Sequence, residues 1–305
     1  MPPPVRPVAG AGGRAAGERL VEVTYKRKSG FAVHGRGFGP HDHLCWRYRD
    51  EHDFHDRVRE FLSEGLTLGY QVRYIGTGDP DVLVRDLDGI DGIDEALKAG
   101  TAQVASLDTT YPVGAVIDPA TQVRAYAAAT DAALAAGFAG LRVAADCTSL
   151  VRTPEQLDAF SRYEHRIDRY MVDRPFSAMC AYSADKVDDH AFAQLACLHP
   201  NANTASPGFR LHAADDETTA FAGEVDQFSE DLFALALHRA DLRPHGGQLV
   251  FDATGLTFLD HRNLLRLSRH AADQDASVVL RTSWPGASKL VNLLEITNVR
   301  VESAA

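Results

Sequence analysis

The sequence predicts an α/β protein in two parts: a mostly parallel sheet sandwiched by helices, then a small mixed β-sheet/α-helix domain. Three observations predict it. From residue 42 to 198, short apolar runs alternate with stretches of helical periodicity, and that alternation builds parallel strands joined by crossover helices. A turn-rich stretch, His199-Pro-Asn-Ala-Asn-Thr-Ala-Ser-Pro-Gly208, then interrupts the pattern. Beyond it the order changes to two successive strands followed by strand and helix in turn, over a length that suits one small domain.

Each element has its own signal. Residues 44–48 read as a strand, and residues 51–68 as a helix with Phe54, Val58, Phe61, Leu62 and Leu66 at helical spacing. Gln71-Val-Arg-Tyr-Ile75 reads as a strand ended by Gly76. Two short helical stretches follow, around 80–87 and 92–99, the second closed by Gly100. Residues 102–107 read as a strand. Asp118-Pro119 opens a helix to Gly137, with Pro at its first position. Residues 141–147 read as a strand. Thr153-Pro154-Glu155-Gln156 carries an N-cap, a first-turn Pro and a capping-box Gln. Residues 176–182 read as a strand and 188–198 as a helix. In the second part strands are expected at 209–214, 218–223, 248–252, 277–281 and near Val299, and helices at 228–240, 260–273 and 285–295. The resulting division is a poorly ordered arm over 1–40, a first domain over 41–200, a linker over 201–208 and a second domain over 209–305. Residues 20–25 could form a strand, but the glycines from Gly30 to Gly39 interrupt any continuation of it.

Composition excludes several classes. A chain of 305 residues suits two domains. The formal charge of -11 argues against a nucleic-acid partner, because phosphate neutralisation needs basic patches. The small cluster Lys26-Arg27-Lys28 reads as part of a solvated tail. No apolar run is long enough to span a bilayer, and no export signal is evident, so a cytoplasmic protein without a membrane partner is expected. The four cysteines Cys45, Cys147, Cys180 and Cys197 are far apart and are expected as free thiols. There is no Gly-x-x-x-x-Gly-Lys-Ser/Thr run to wrap a phosphate and no Gly-x-Ser-x-Gly elbow to present a nucleophile, so catalysis is not expected. Asp146, at the end of an apolar strand, has no phosphate-binding loop to serve.

The chemistry-bearing residues gather in two places. In His41-Asp-His43-Leu-Cys45, a strand would put His41, His43 and Cys45 on one face, and imidazole and thiolate are ligands for zinc, iron or copper. Cys180, on another strand, and His199, at the end of a helix, could approach the same sheet edge. Cys45 and Cys180 serve equally as small buried core residues, and His43 as a hydrogen-bonded one. A small-ligand pocket at the carboxyl ends of these strands is the other reading, with Glu164 and Tyr182 as further candidates. No cofactor is named by the sequence. The second place is Gly255-Leu-Thr-Phe-Leu-Asp-His261, which comes after the apolar run Gln248-Leu-Val-Phe-Asp252 and leads into a helix capped by Asp260.

Two resemblances rest on these motifs. Residues 41–200 resemble a MEDS (DcmR-like) sensory domain through His43-Leu-Cys45, Phe61-Leu-Ser-Glu-Gly-Leu-Thr-Leu-Gly69, Gly140-Leu-Arg-Val143, Tyr163-Glu164, Ala178-Met-Cys-Ala-Tyr182 and Leu198-His-Pro200. That resemblance implies a RecA-like sheet used to sense small molecules in bacterial signalling. Residues 209–303 resemble a STAS domain of the anti-sigma-factor-antagonist family. The pieces are Gly223-Glu-Val-Asp226, Leu249-Val-Phe-Asp-Ala-Thr-Gly-Leu-Thr-Phe-Leu-Asp260 and Leu290-Val-Asn-Leu-Leu-Glu-Ile-Thr297. In that family a phosphorylatable Ser comes after the Asp, and a Gly stands two residues beyond the Ser. Here those positions are His261 and Asn263, so the resemblance implies a degenerate phosphosite that has lost serine control, or one that uses His261 and Asn263 to touch a partner.

Together these readings imply a regulator whose first domain senses a small molecule, a metal or a redox signal. Its second domain would dock on an anti-sigma factor or a related kinase-like regulator. Two alternatives stay open. One is a metal-binding sensor or enzyme centred on His43, Cys45 and Cys180. The other is a non-sensing scaffold that self-associates, for instance as a homodimer.

Overall fold

A computed structural model describes residue 27 and residues 29–112, 114–215 and 217–304. The first part contains β1 (Gly30–Phe31), β2 (His43–Tyr48), α1 (Glu51–Thr67), β3 (Gln71–Gly76), α2 (Pro80–Leu83), α3 (Ile93–Ala99), β4 (Ala102–Ser106), α4 (Leu107–Thr110), α5 (Pro119–Ala135), β5 (Leu141–Asp146), α6 (Pro154–Asp173), β6 (Phe176–Ser183), α7 (Asp189–Ala196) and β7 (Asn201–Ala202). Its seven strands run in the order β1-β7-β2-β6-β5-β3-β4, and every pairing is parallel. β6 is buried at all eight positions, as a strand covered on both faces must be, and its sequence is accordingly almost continuously apolar.

The second part contains β8 (Phe209–Ala213), β9 (Thr218–Val225), α8 (Glu230–Arg239), β10 (Gln248–Asp252), β11 (Leu256–Leu259), α9 (His261–Ala272), β12 (Ser277–Arg281), α10 (Gly286–Leu293) and β13 (Val299–Glu302). The strands form a six-stranded mixed sheet, β11-β9-β10-β12-β13, with β8 antiparallel to β9. Gly223 sits at φ +91° where β8 crosses β9, and a Cβ there would lie 2.0 Å from the Gly208 carbonyl oxygen.

Helix α6 is the hinge of the architecture. Its capping box is formed as the sequence expects: Thr153 accepts from the Gln156 backbone, and the Gln156 side chain accepts from the Thr153 N–H. Both long faces are buried, because α6 lies between the two sheets. One face carries Phe160, Glu164, Ile167 and Met171 against the first sheet. The other meets the second part through polar contacts. Arg169 donates to the carbonyls of Asp215 (3.1 Å) and Asp241 (3.0 Å). Arg239 of α8 donates to Asp158 (3.0 Å) and Gln194 (2.6 Å). Cys197 and Leu198, just past α7, pack into the core of the second sheet.

Three stretches differ from the expectation. Asn201 and Ala202, expected as linker, form β7 inside the first sheet; Asn201 is buried because its side-chain amide donates to the His43 carbonyl (3.2 Å). Part of the arm is ordered onto the body: Gly30 and Phe31 pair with β7, and Arg27 reaches α6. Residues 256–259, where no strand is expected, are β11, which pairs with β9 across an irregular register. The candidate strand at 20–25 lies outside the described residues, as do Lys26 and Lys28. Among the described residues no helix is long and apolar enough to cross a membrane.

Candidate sensory site

Four side chains from four elements converge beneath α6. His43 begins β2, Cys180 lies in the middle of β6, Glu164 projects from α6, and His199 lies just past α7. Cys45 and Cys180 are direct register partners in neighbouring parallel strands, so His43 stands two residues down the same face of the sheet. The donor atoms of His43, Glu164, Cys180 and His199 all lie within 4.8 Å of one another, and all four residues are buried. Glu164 Oε2 is 3.3 Å from His43 Nε2, 3.5 Å from Cys180 Sγ and 3.6 Å from His199 Nε2. Cys180 Sγ is 3.5 Å from His43 Nε2, and the two imidazole centroids are 4.0 Å apart.

The outward atoms of the cluster are anchored. His43 Nδ1 donates to Asp168 Oδ1 (3.3 Å), His199 Nδ1 donates to the Leu195 carbonyl (2.9 Å), and Tyr182 donates to Glu164 Oε1 (2.5 Å). Glu164 and Asp168 are one helical turn apart, which puts both carboxylates on one face of α6 and lets them grip opposite nitrogens of the same ring. Asp168 in turn pairs with Arg27 and accepts the Ala213 backbone N–H of β8 (2.8 Å). A single residue, Asp168, thus links the cluster to the second sheet.

Burial opposes the charged form of His43, but hydrogen bonds to Asp168 and Glu164 outweigh it and hold the ring above its ordinary range. His199 is pushed down to about 4 by burial and by the His43 charge. Burial opposes ionisation of Glu164; the histidine pair and the Tyr182 hydroxyl outweigh it and keep the carboxyl below its usual range. Contact with Cys147, together with burial and the Glu164 charge, pushes the Cys180 thiol well up. His199 Nε2 is buried and has no hydrogen-bond partner.

A cavity of about 200 Å³ abuts this cluster. It lies between the sheet face of β3, β4, β5 and β6 and the helices α5 and α6, and Cys180 and Cys147 form part of its wall. The lining is chiefly apolar and aromatic, including Ile75, Tyr126, Phe160, Tyr163 and Phe176. Arg73, Tyr111 and Gln122 supply the polar groups; Tyr111 donates to the Gln122 side chain, and Arg73 donates to Gln103 (2.8 Å). The sequence points to a pocket at the carboxyl ends of the strands. This cavity reaches those ends at Ile75, Leu107 and Cys147 and extends from there between sheet and helices to Phe176 and Ala178, with the small residues Ala105, Ala145 and Ala178 along its sheet wall.

The expected site residues therefore separate. His43, Glu164, Cys180, Tyr182 and His199 come together. His41 and Cys45 do not join the cluster: His41 Nδ1 lies against the carbonyls of Met171 (2.7 Å) and Arg174 (3.0 Å) at the end of α6, and Cys45 packs in the core. Asp168 and Arg27 were missed. The four-residue spacing of Glu164 and Asp168 was the available signal for the first, whereas Arg27 carried none. Arg142, from the Gly140-Leu-Arg-Val143 motif, faces the opposite side of the sheet. There it donates to Phe38 O (2.6 Å), Phe61 O (3.2 Å), Glu64 (3.1 Å) and Ser177 (3.1 Å), passing Gly65, where a Cβ would lie 2.8 Å from its Cδ.

At the second sheet, Asp260 caps α9 by accepting the Asn263 backbone N–H (2.8 Å). His261 and Arg262 are exposed. Asn263 is fully buried and donates to Asp226 O (3.0 Å), so its side chain is turned inward and does not face a partner. The neighbouring loop exposes Phe228.

No curated protein matches the chain. A family model, MEthanogen/methylotroph, DcmR Sensory domain (MEDS), matches residues 42–200, ending just before β7 and containing the whole cluster and the cavity. That match spans more than half of the chain, and the protein belongs to the MEDS family of sensory domains.

Proposed function

We propose that the protein is a two-part signal-transduction regulator in which a small, mainly apolar molecule fills the cavity under α5 and α6. The second part then passes its presence to a protein partner. The carrying observation is the cavity of about 200 Å³ that shares Cys180 with a buried charged cluster in the family-matched region. A dry apolar cavity of this order holds a benzene-sized body. Arg73, Tyr111 and Gln122 suit one hydrogen-bonding substituent on it. The role is binding, not catalysis.

The output runs through α6. Its sheet-facing side carries Glu164 beside the cavity wall and, one turn on, Asp168, which accepts the Ala213 N–H; from its other side Arg169 reaches the backbone of the second part. Occupancy changes output only if the ligand interacts differently with two arrangements of α6. We read residues 209–303 as a STAS-type unit after a RecA-like sheet. Support comes from the strand–cap–helix order of β11, Asp260 and α9, within a small mixed sheet. On that reading the partner is an anti-sigma factor or a related kinase-like regulator. It docks at the α9 N-terminus, where His261, Arg262 and Phe228 are exposed, without serine phosphorylation.

The test has two arms. Thermal shift against short-chain alcohols, ketones and simple phenols should find a stabilising ligand, worth about 2.7 kcal/mol at a hundredfold excess over its dissociation constant. Replacing Ala145 with Leu should abolish that shift by filling the cavity. A partner captured from the native host should then bind with different affinity in the presence and absence of that ligand. Identical affinities would remove the coupling and leave a scaffold.

A further inference from the structure

We infer that His43, Glu164, Cys180 and His199 are the ligands of one divalent transition-metal ion of the zinc class. The first argument is dimensional. With metal–nitrogen and metal–oxygen bonds of about 2.0–2.1 Å and a metal–sulfur bond of about 2.3 Å, the edges of a tetrahedral shell are roughly 3.3–3.6 Å. The edges observed are 3.3 Å from His43 Nε2 to Glu164 Oε2, 3.5 Å from Cys180 Sγ to each of those atoms, and 3.6 Å from His199 Nε2 to Glu164 Oε2. Four of the six edges thus match a tetrahedral shell, and the remaining two, from His199 Nε2 to His43 Nε2 and to Cys180 Sγ, are within 4.8 Å.

The second argument is hydrogen bonding. A metal-bound imidazole characteristically gives its other nitrogen to a carboxylate or a backbone carbonyl, which fixes the tautomer. Here Asp168 takes the Nδ1–H of His43 and the Leu195 carbonyl takes that of His199. Both Nε2 atoms are thereby left as the ring positions within the cluster. Tyr182 similarly anchors the Glu164 oxygen that faces away from the cluster. A proton on His43 satisfies the edge to Glu164, but it leaves His199 Nε2 buried, unpartnered and facing a carboxylate oxygen. A buried acceptor without a donor is costly, and a cation at the centre removes that cost.

Charge and softness select the ion. Two neutral imidazoles, one carboxylate and one thiolate carry two negative charges, which a divalent cation neutralises. Imidazole and thiolate favour zinc and its neighbours over magnesium or calcium. Four protein ligands close the shell, the arrangement of structural sites rather than of sites that hold a reacting water. The ion would tie β2, α6, β6 and the turn after α7 into one rigid unit, directly behind the cavity wall. This inference stands on the donor geometry and does not require a cavity ligand.

The experiment uses the full chain, purified without a polyhistidine tag, stripped with a chelator and titrated with Co²⁺. Roughly one equivalent should bind, with visible bands of the intensity of four-coordinate cobalt and a near-ultraviolet thiolate-to-cobalt band, and Zn²⁺ should displace it. Cys180→Ser should lose the near-ultraviolet band and His199→Gln should lose stoichiometric binding, while His41→Asn and Cys45→Ala keep both. Tyr182→Phe should weaken Co²⁺ affinity about 10- to 100-fold. Binding below roughly a tenth of an equivalent, or a thiolate band that survives Cys180→Ser, overturns the assignment. If Cys180→Ser does not fold, the remaining cysteines decide. Cys45→Ala, Cys147→Ala and Cys197→Ala must each retain the band, and its loss in any of them overturns the assignment equally.

Discussion

The two sheets of this molecule are cored differently. The second closes over Phe209, Phe221, Phe233 and Phe251, all fully buried and in ring contact, with Phe221 and Phe233 stacked at 5.3 Å. The first buries ionisable residues on both of its faces: Arg142 under α1, and His43, Glu164, Asp168 and His199 under α6. An aromatic core is held by area and shape, and it tolerates no polar group without a partner. A core with paired charges is stabilised little by them and fails when one is removed. The contrast teaches where chemistry resides. In the second part the exposed candidate contacts His261 and Arg262 stand at a helix end on the surface, while in the first the His43–Glu164–Cys180–His199 cluster is enclosed beside a cavity.

The largest expected effect tests whether these cores are separate. Replacing Phe251 with Ala should destabilise the second sheet by about 3–5 kcal/mol. The interface argues that the first sheet unfolds with it, since Arg169, Arg239 and Asp168 bond across and Cys197 sits in the other core. The two tryptophans give a probe for each side, Trp46 in β2 and Trp284 beside β11. In urea, Trp46→Phe and Trp284→Phe forms of the variant should report one coincident midpoint. Separate midpoints would show two independent units and would weaken any coupling through α6.

The next effect probes the first sheet alone. Arg142→Met keeps the length of the side chain but removes the donor to the Phe38 and Phe61 carbonyls. We expect a loss of about 2–4 kcal/mol, read from the urea midpoint. Glu64 is partly exposed and can turn to water, so its lost partner adds little. An unchanged midpoint would mean that the buried arginine contributes packing only, and the two cores would be alike after all.

Much of this organisation was legible in the sequence, and the exceptions share a cause. Helices α1, α5, α6 and α9 announced themselves through periodicity and caps, which are local properties. His43, Glu164, Cys180 and His199 were visible as candidates because their residue types carry chemistry. Their meeting was not, since it depends on which strand neighbours which and on α6 being buried on both sides. β7 was hidden because Pro200, Asn201 and Asn203 look like turn residues, although Asn201 and Asn203 use their amides to bond the chain of β2. β11 was hidden because Gly255 and Thr257 dilute a four-residue strand. Cavities leave no sequence mark; here three alanines, on β4, β5 and β6 of one sheet, line the wall of one.

The smallest effects sit at the start of α9. Asp260→Ala removes the cap on the Asn263 N–H and should cost about 1 kcal/mol. His261→Glu goes the other way. The first turn of α9 holds no acidic residue, and a carboxylate there should interact favourably with the exposed N–H groups, stabilising by about 0.3–1 kcal/mol at low ionic strength. High salt should screen that gain, so urea midpoints at about 10 mM and about 1 M salt would differ for the variant more than for the parent, by roughly that amount. If this end of α9 is the docking surface proposed above, the same substitution should weaken partner binding by about tenfold or more while the fold becomes more stable. Opposite signs in the two measurements separate docking from folding. A variant that gains stability and binds its partner unchanged would place the contact away from His261 and leave the α9 terminus with a structural role alone.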